Sequence, residues 1–293
     1  MNASRTVTRP VSGDPLPRRL GRAVLRPLRP VDEVARAIAL GNRLQRSTST
    51  GRRIVVDDLG SGADCAVVAA LVARALAHFR HDRVLAVDAT GRAPSLADRL
   101  GVPEPGNLGG VDSATFETVR EGLAEVTERL WTVGADPADA DAYTGRLLPV
   151  SRFFGVTLVA GGQGGFLEAV DEGAHARVRV VRATRASALR VGRELDRLAG
   201  EGREAEAGRT VVVVFDQERG EDRGFDAVRI GRIIEESGAA VIALPHDRHL
   251  AQGTEVLPRR IAESTHRTVQ LIAAQALDRA IDGGPAGTEG SRR

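Results

Sequence analysis

The residues able to do chemistry are concentrated between Ile54 and Leu71, IVVDDLGSGADCAVVAAL. A β-branched run ends in Asp57-Asp58, passes through Gly60-Ser61-Gly62-Ala63-Asp64-Cys65-Ala66, and enters an Ala/Val/Leu-rich stretch with helical character. Strand, glycine-rich turn and helix in that order form a phosphate-binding layout. The turn aims backbone N–H groups at an anion, and the helix N-terminus adds a partial positive charge. A lysine followed by Ser or Thr normally completes the grip on phosphate and Mg²⁺. Here Cys65 and Ala66 occupy the end of the turn, and the whole chain contains no lysine, so all of its 41 basic residues are arginine. The expectation is a nucleotide-site architecture from which the triphosphate-gripping groups are missing.

The elements that must position this turn can be read in order. Val67 to Phe79 is an almost unbroken apolar helix, and Arg83 to Asp88 is a second buried strand. Strand, helix and strand make a crossover unit, which implies a parallel sheet. Asp88 then falls at a strand's C-terminal end beside the turn, where a carboxylate orders Mg²⁺ or water, or simply caps its loop. Further strands are expected at Arg53 to Asp57, Trp131 to Val133, Phe154 to Ala160, Val178 to Arg182, Thr210 to Phe215 and Ala240 to Leu244. Ala124 onwards is expected to be helical until Leu130-Trp131, and Gly200 to Gly208 a charged loop. The fold class is α/β, a mainly parallel sheet of about seven strands with helices on both faces.

Composition bounds the rest. The 293 residues are 42% apolar, enough for one sizeable core, and the single cysteine excludes an internal disulfide and a multi-cysteine metal site. Cys65 is expected to be a small buried or capping residue. No apolar run approaches the roughly 18 residues of a membrane span, which points to a cytoplasmic protein, with peripheral attachment to a membrane as a variant. Net charge is only +2 but is unevenly spread, with twelve arginines in residues 1–53 against Asp14, Asp32 and Glu33. Pro10, Pro15, Pro17, Pro27 and Pro30 break the start repeatedly, so residues 1–30 are expected to be a mobile basic arm. That arm is either solvated or docked on an anionic surface, lipid or nucleic acid. Residues 31–282 form the single domain, opening with a short amphipathic helix from Val31, and residues 283–293 a disordered tail.

The segments TGRRIVVDDLGSGADCAVVAAL, DRVLAVDATGRAPSLADRLG and LPHDRHLAQG resemble the MinD/ParA-like P-loop ATPases, in particular an actinobacterial branch that includes members associated with type VII secretion loci. In that family the first segment typically reads TGRRIAVTSVKGGVGKTTVAALL. The resemblance places Gly60 at the signature lysine, Asp64 at a glycine, Cys65 at the phosphate-loop lysine and Ala66 at the Mg²⁺-binding hydroxyl; a register slipped by two residues instead aligns Gly60 and Gly62 with the loop glycines and puts Ala63 at the lysine, and neither register restores the site. It places Thr90 at the second switch carboxylate after Asp88, Ala160 at the metal-ordering Asp, Asp216 at an adenine-reading Asn, and Pro245 with His246-Asp247 in the base-side loop. What it implies is a module with no cofactor, or ATP with Mg²⁺ if the site still works. It also implies a protein partner, including a homo- or heterodimer. Three readings stand: a non-hydrolysing partner-binding or regulatory module; an ATPase using Arg92, Arg185 or a partner's arginine for the missing lysine; and a nucleic-acid or membrane-surface binder acting through the basic arm. His246 and His249 are expected to serve their loop, with a metal pair as the alternative. Asp64 is expected to repel phosphate, as are Asp57 and Asp58 unless they pair with arginine.

Overall fold

A computed structural model describes residues 11–15, 18, 31–48 and 50–283. Most of the basic arm and all but the first residue of the C-terminal tail lie outside the described residues, and the expectations made for them fall there. In chain order the elements are α1 (Val31–Leu44), β1 (Arg52–Asp57), α2 (Cys65–Phe79), β2 (Val84–Ala89), α3 (Leu96–Leu100) and α4 (Phe116–Glu121). A hairpin of β3 (Ala124–Thr127) and β4 (Leu130–Gly134) follows, then α5 (Leu148–Ser151), β5 (Val156–Gly161), α6 (Gly165–Glu172) and β6 (Ala176–Arg182). The chain continues through α7 (Arg185–Gly200), α8 (Glu204–Gly208), β7 (Thr210–Phe215), α9 (Ala227–Glu235), β8 (Ala240–Leu244) and α10 (Glu263–Asp282).

The sheet order is β3-β4-β2-β5-β1-β6-β7-β8, parallel throughout except for the antiparallel β3–β4 edge. β1 therefore lies centrally between β5 and β6, with Val56 opposite Ala160 and Val178. Its Ile54, Val55 and Val56 are fully buried, as the unbroken apolar run requires for a strand covered on both faces. On one face α2 and α10 pack together over the central strands; on the other, Trp131, Phe154, Phe166 and Leu147 fill a second layer.

The expected seven strands become eight because Ala124–Thr127 is a strand. Its residues alternate half-buried and exposed, and the turn at Glu128-Arg129 returns the chain into β4. Ala and Glu favour a helix locally, but the edge of the sheet supplies hydrogen bonds that a four-residue helix could not match. The expected loop between Gly200 and Gly208 contains a one-turn helix, α8. Within the stretch read as the arm, Val11–Pro15 is seated against the start of α10, where Asp14 is only 6% exposed. α1 is fastened by Arg43 and Arg46, which pair with Asp278 at 2.8 Å, and by Arg80, whose guanidinium donates to the carbonyl of Leu44.

Beside β1, His175 is buried and its Nδ1 accepts the Arg53 backbone N–H at 3.1 Å, which requires that nitrogen unprotonated. Burial, with Arg53 and Arg52 nearby, lowers its pKa to about 4. The unfolded chain takes up the proton near pH 6.5 and the folded chain does not, so stability present above pH 6.5 is lost as pH falls towards 4. The loss is expected to reach about 2–3 kcal/mol. Urea midpoints compared at pH 7 and 4.5 should show a smaller drop in His175→Asn than in the parent; equal drops would refute the assignment.

Candidate functional site

The turn after β1 is organised by a carboxylate of its own. Leu59, Gly60 and Gly62 take left-handed backbone angles, φ +48°, +66° and +73°, which turn successive N–H groups inward as an anion-binding nest does. The group inside is Asp58. Its Oδ1 accepts the Gly60 N–H at 3.0 Å, its Oδ2 accepts the Gly62 N–H at 3.2 Å, and its backbone carbonyl accepts the Ser61 N–H at 2.8 Å. The remaining turn donors are also engaged: Leu59 N–H on Asp57, Ala63 N–H on Ser61 Oγ, Asp64 N–H on Gln217 Oε1 at 2.9 Å, and Cys65 N–H on the Ala63 carbonyl.

Arg92 closes the arrangement from the β2 side. One guanidinium nitrogen, Nη2, donates to Asp58 Oδ2 at 3.0 Å and to the Ala63 carbonyl at 3.2 Å, and lies 3.4 Å from Cys65 Sγ. Cys65 is fully buried, and burial pushes its thiol up to about 12 despite Arg92, which leaves no thiolate for chemistry. The expectation of a small buried residue holds there. Ala66 is buried beside it and offers no hydroxyl.

The charges around the turn are paired. Asp64 was expected to repel an incoming phosphate. Instead its Oδ1 caps α2 by accepting the Val67 N–H at 2.9 Å, while its Oδ2 pairs with Arg99, a residue 3% exposed. A carboxylate neutralised in this way presents little net charge to a ligand, so the repulsion argued from the sequence is overturned at this position. Asp57 pairs with the buried Arg179; burial pushes its carboxyl up to about 6, and the guanidinium only partly offsets this. Asp88 accepts both N–H and Oγ1 of Thr90 on one oxygen and the Ala97 N–H on the other, at 2.9 Å. Of the two roles open to it, the loop-capping one is what its contacts describe. Ala160, in register with Val56 and Asp88, is fully buried and contributes only packing.

Sites further along the chain join the same sheet edge through Gln217. Its side chain holds Asp64 N–H, and its carbonyl lies 3.1 Å from His246 Nδ1, which ties the base-side loop of Pro245 and His246 to the turn. Asp216 accepts the Gly220 N–H at 2.9 Å and shapes its own loop. His249 is buried, its Nε2 accepting the Leu257 N–H, and burial lowers its pKa. Among the described residues no group of three or more His, Cys, Asp or Glu is placed to hold a metal ion. Arg185 is spent on Asp222 at the surface. Sequence reading missed Gln217, Arg99 and Arg179, whose partners lie 153, 35 and 122 positions away; no local spacing marks them.

A sheet of this order, with the glycine turn between its central strand and a buried helix, is the fold of the MinD/ParA-like P-loop ATPases. Solved structures agree: MinD in the MinC:MinD cell division complex of Aquifex aeolicus superposes with TM-score 0.54 at 20% identity, covering 79% of this chain and 94% of that one. A ParA family ATPase from Chlorobium tepidum gives TM-score 0.53 at 18% identity, covering 79% and 97%. In sequence, the chain is 29% identical over 253 residues to the ESX-1 secretion-associated protein EspI of Mycobacterium tuberculosis. That match takes in 80% of this chain but spans only 38% of EspI's length. No family model matches the chain. Among the described residues no helix is long and apolar enough to cross a membrane.

Proposed function

We propose that this chain is a MinD/ParA-type module that does not hydrolyse ATP and acts by binding a protein partner in a secretion-associated setting. The observation that carries this is Asp58. Its carboxylate sits on the two glycine amides that a phosphate would need, and Arg92 sits on the carboxylate. Cys65, Ala66 and Ala160 stand where the lysine, the Mg²⁺-binding hydroxyl and the metal-ordering carboxylate would be. Phosphoryl transfer depends on placed charge and bound metal, so the residues present do not fit a Mg²⁺-triphosphate. The partner-binding half of the proposal draws on the likeness to a secretion-associated protein and to a MinD solved together with MinC.

A second reading, ATP binding with Arg92 in place of lysine, has one observation in its favour: Arg92 Nη2 lies 3.4 Å from the Cys65 sulfur. ATP would first have to displace Asp58 from Gly60 and Gly62. A titration with a fluorescent ATP analogue and Mg²⁺, together with a turnover assay, separates the two. The expected result is no turnover and at best weak binding, with the size-exclusion mobility of the chain unchanged by ATP and Mg²⁺. Micromolar binding with hydrolysis that Arg92→Ala abolishes would give the second reading the site.

A further inference from the structure

The segment Val11–Pro15 is held by a surface far away in sequence. The Val11 N–H donates to Gln252 Oε1 at 3.1 Å, the Gly13 N–H donates to the Arg260 carbonyl at 2.5 Å, and Asp14 Oδ2 accepts the Glu263 N–H at 3.1 Å. α10 begins at Glu263, and its own capping residue, Ala262, offers no side-chain acceptor. Two carboxylates from elsewhere serve instead: Asp247, 1% exposed, takes the Ala262 N–H at 2.8 Å, and Asp14 takes the next N–H along. Between them Gly13 passes so close that a Cβ there would stand 2.5 Å from both Asp247 oxygens and 2.6 Å from the Ala262 nitrogen. Its angle is not left-handed, so glycine is required at this position for space rather than for backbone conformation.

We infer that the surface formed by Asp247, Gln252, the Arg260 carbonyl and the first amides of α10 is a peptide-binding site. It takes a segment that bends at a glycine followed by an aspartate, and it is filled in cis by residues 11–14. Three features set its selectivity. A backbone N–H must meet Gln252, a residue without a side chain must pass Asp247, and a carboxylate must follow to cap the helix. Gly-Asp occurs once in the 293 residues, so no second segment of the chain competes for the site. Occupancy also controls the start of the final helix, because the Glu263 amide loses its carboxylate acceptor when the segment leaves.

Amide exchange measured by NMR on the full chain tests this. In Asp14→Ala the Glu263 amide should exchange about fivefold faster, as expected for the loss of one capping carboxylate. Gly13→Ala should expose both the Ala262 and Glu263 amides, while amides of β1, β2 and β5 stay unchanged in either variant. An eight-residue synthetic peptide with the sequence of residues 9–16, added in excess to Gly13→Ala, should restore protection; the same peptide carrying alanine for glycine should not. Where Gly13→Ala does not fold, the peptide comparison is made on Asp14→Ala. Unchanged exchange at Glu263 in Asp14→Ala, or equal restoration by the two peptides, would overturn the proposal.

Discussion

Asp64→Ala is expected to destabilise the protein by about 3–5 kcal/mol, although the sequence alone makes this residue look dispensable or harmful. The mutation leaves the guanidinium of Arg99 buried with its ion-pair partner gone, and an uncompensated buried charge is the expensive half of a broken pair. It also removes the cap on Val67 N–H. Against a typical total of roughly 5–15 kcal/mol this is a large fraction, and the melting temperature should fall by roughly 10 °C. The second half of the experiment is Arg99→Met in the Asp64→Ala background. Removing the stranded charge should recover much of the loss, so the two substitutions should be strongly non-additive in a double-mutant cycle. Additive losses would show that Asp64 and Arg99 do not form the pair described.

The second large effect concerns the turn itself. If Asp58 is what fills the nest, then Asp58→Ser combined with Ser61→Gly, Cys65→Lys, Ala66→Thr and Ala160→Asp should free the Gly60 and Gly62 amides and rebuild the missing groups, with Gly60 kept because its φ of +66° is left-handed. Asp64 is kept, because Arg99 needs it. Asp58 is paired with Arg92, so its removal acts mainly by freeing the two amides rather than by lifting charge repulsion, and each hydrogen bond that a charged phosphate then accepts is worth about 1.5–3 kcal/mol. ATP affinity should therefore rise by up to about three orders of magnitude in the combined variant. Cys65→Lys alone should achieve little, since the Cys65 sulfur and the Asp58 carboxylate share the same Arg92 nitrogen and a new ammonium there would pair with Asp58. Should the combined variant give a native circular dichroism spectrum and still bind the fluorescent analogue no better than the parent, the nest does not accept phosphate and the account of the turn fails.

What the sequence by itself determined is the scaffold. The apolar runs of β1, β2, β5 and β7 could be placed by inspection because a parallel strand buried on both faces tolerates little else, and α2 could be placed because a helix between sheet and helix must be apolar all round. The glycines of the turn and the absence of lysine were equally legible, since both are local facts of composition. The β3 edge was not, because a four-residue strand exists only where a neighbour offers its hydrogen bonds. The charges were legible as residues but not as interactions. Asp58 and Asp64 both read as carboxylates beside a phosphate loop, and only the tertiary structure decides that one fills the turn and the other serves Arg99. Likewise Gly13 and Asp14 sit among prolines and arginines that read as a loose arm, until the fold brings Asp247 and the start of α10 against them. The physical reason is common to these cases. Burial follows from the pattern of neighbouring side chains, whereas the energy of a buried charge is set by a partner tens to hundreds of residues away, whose position exists only once the chain has folded.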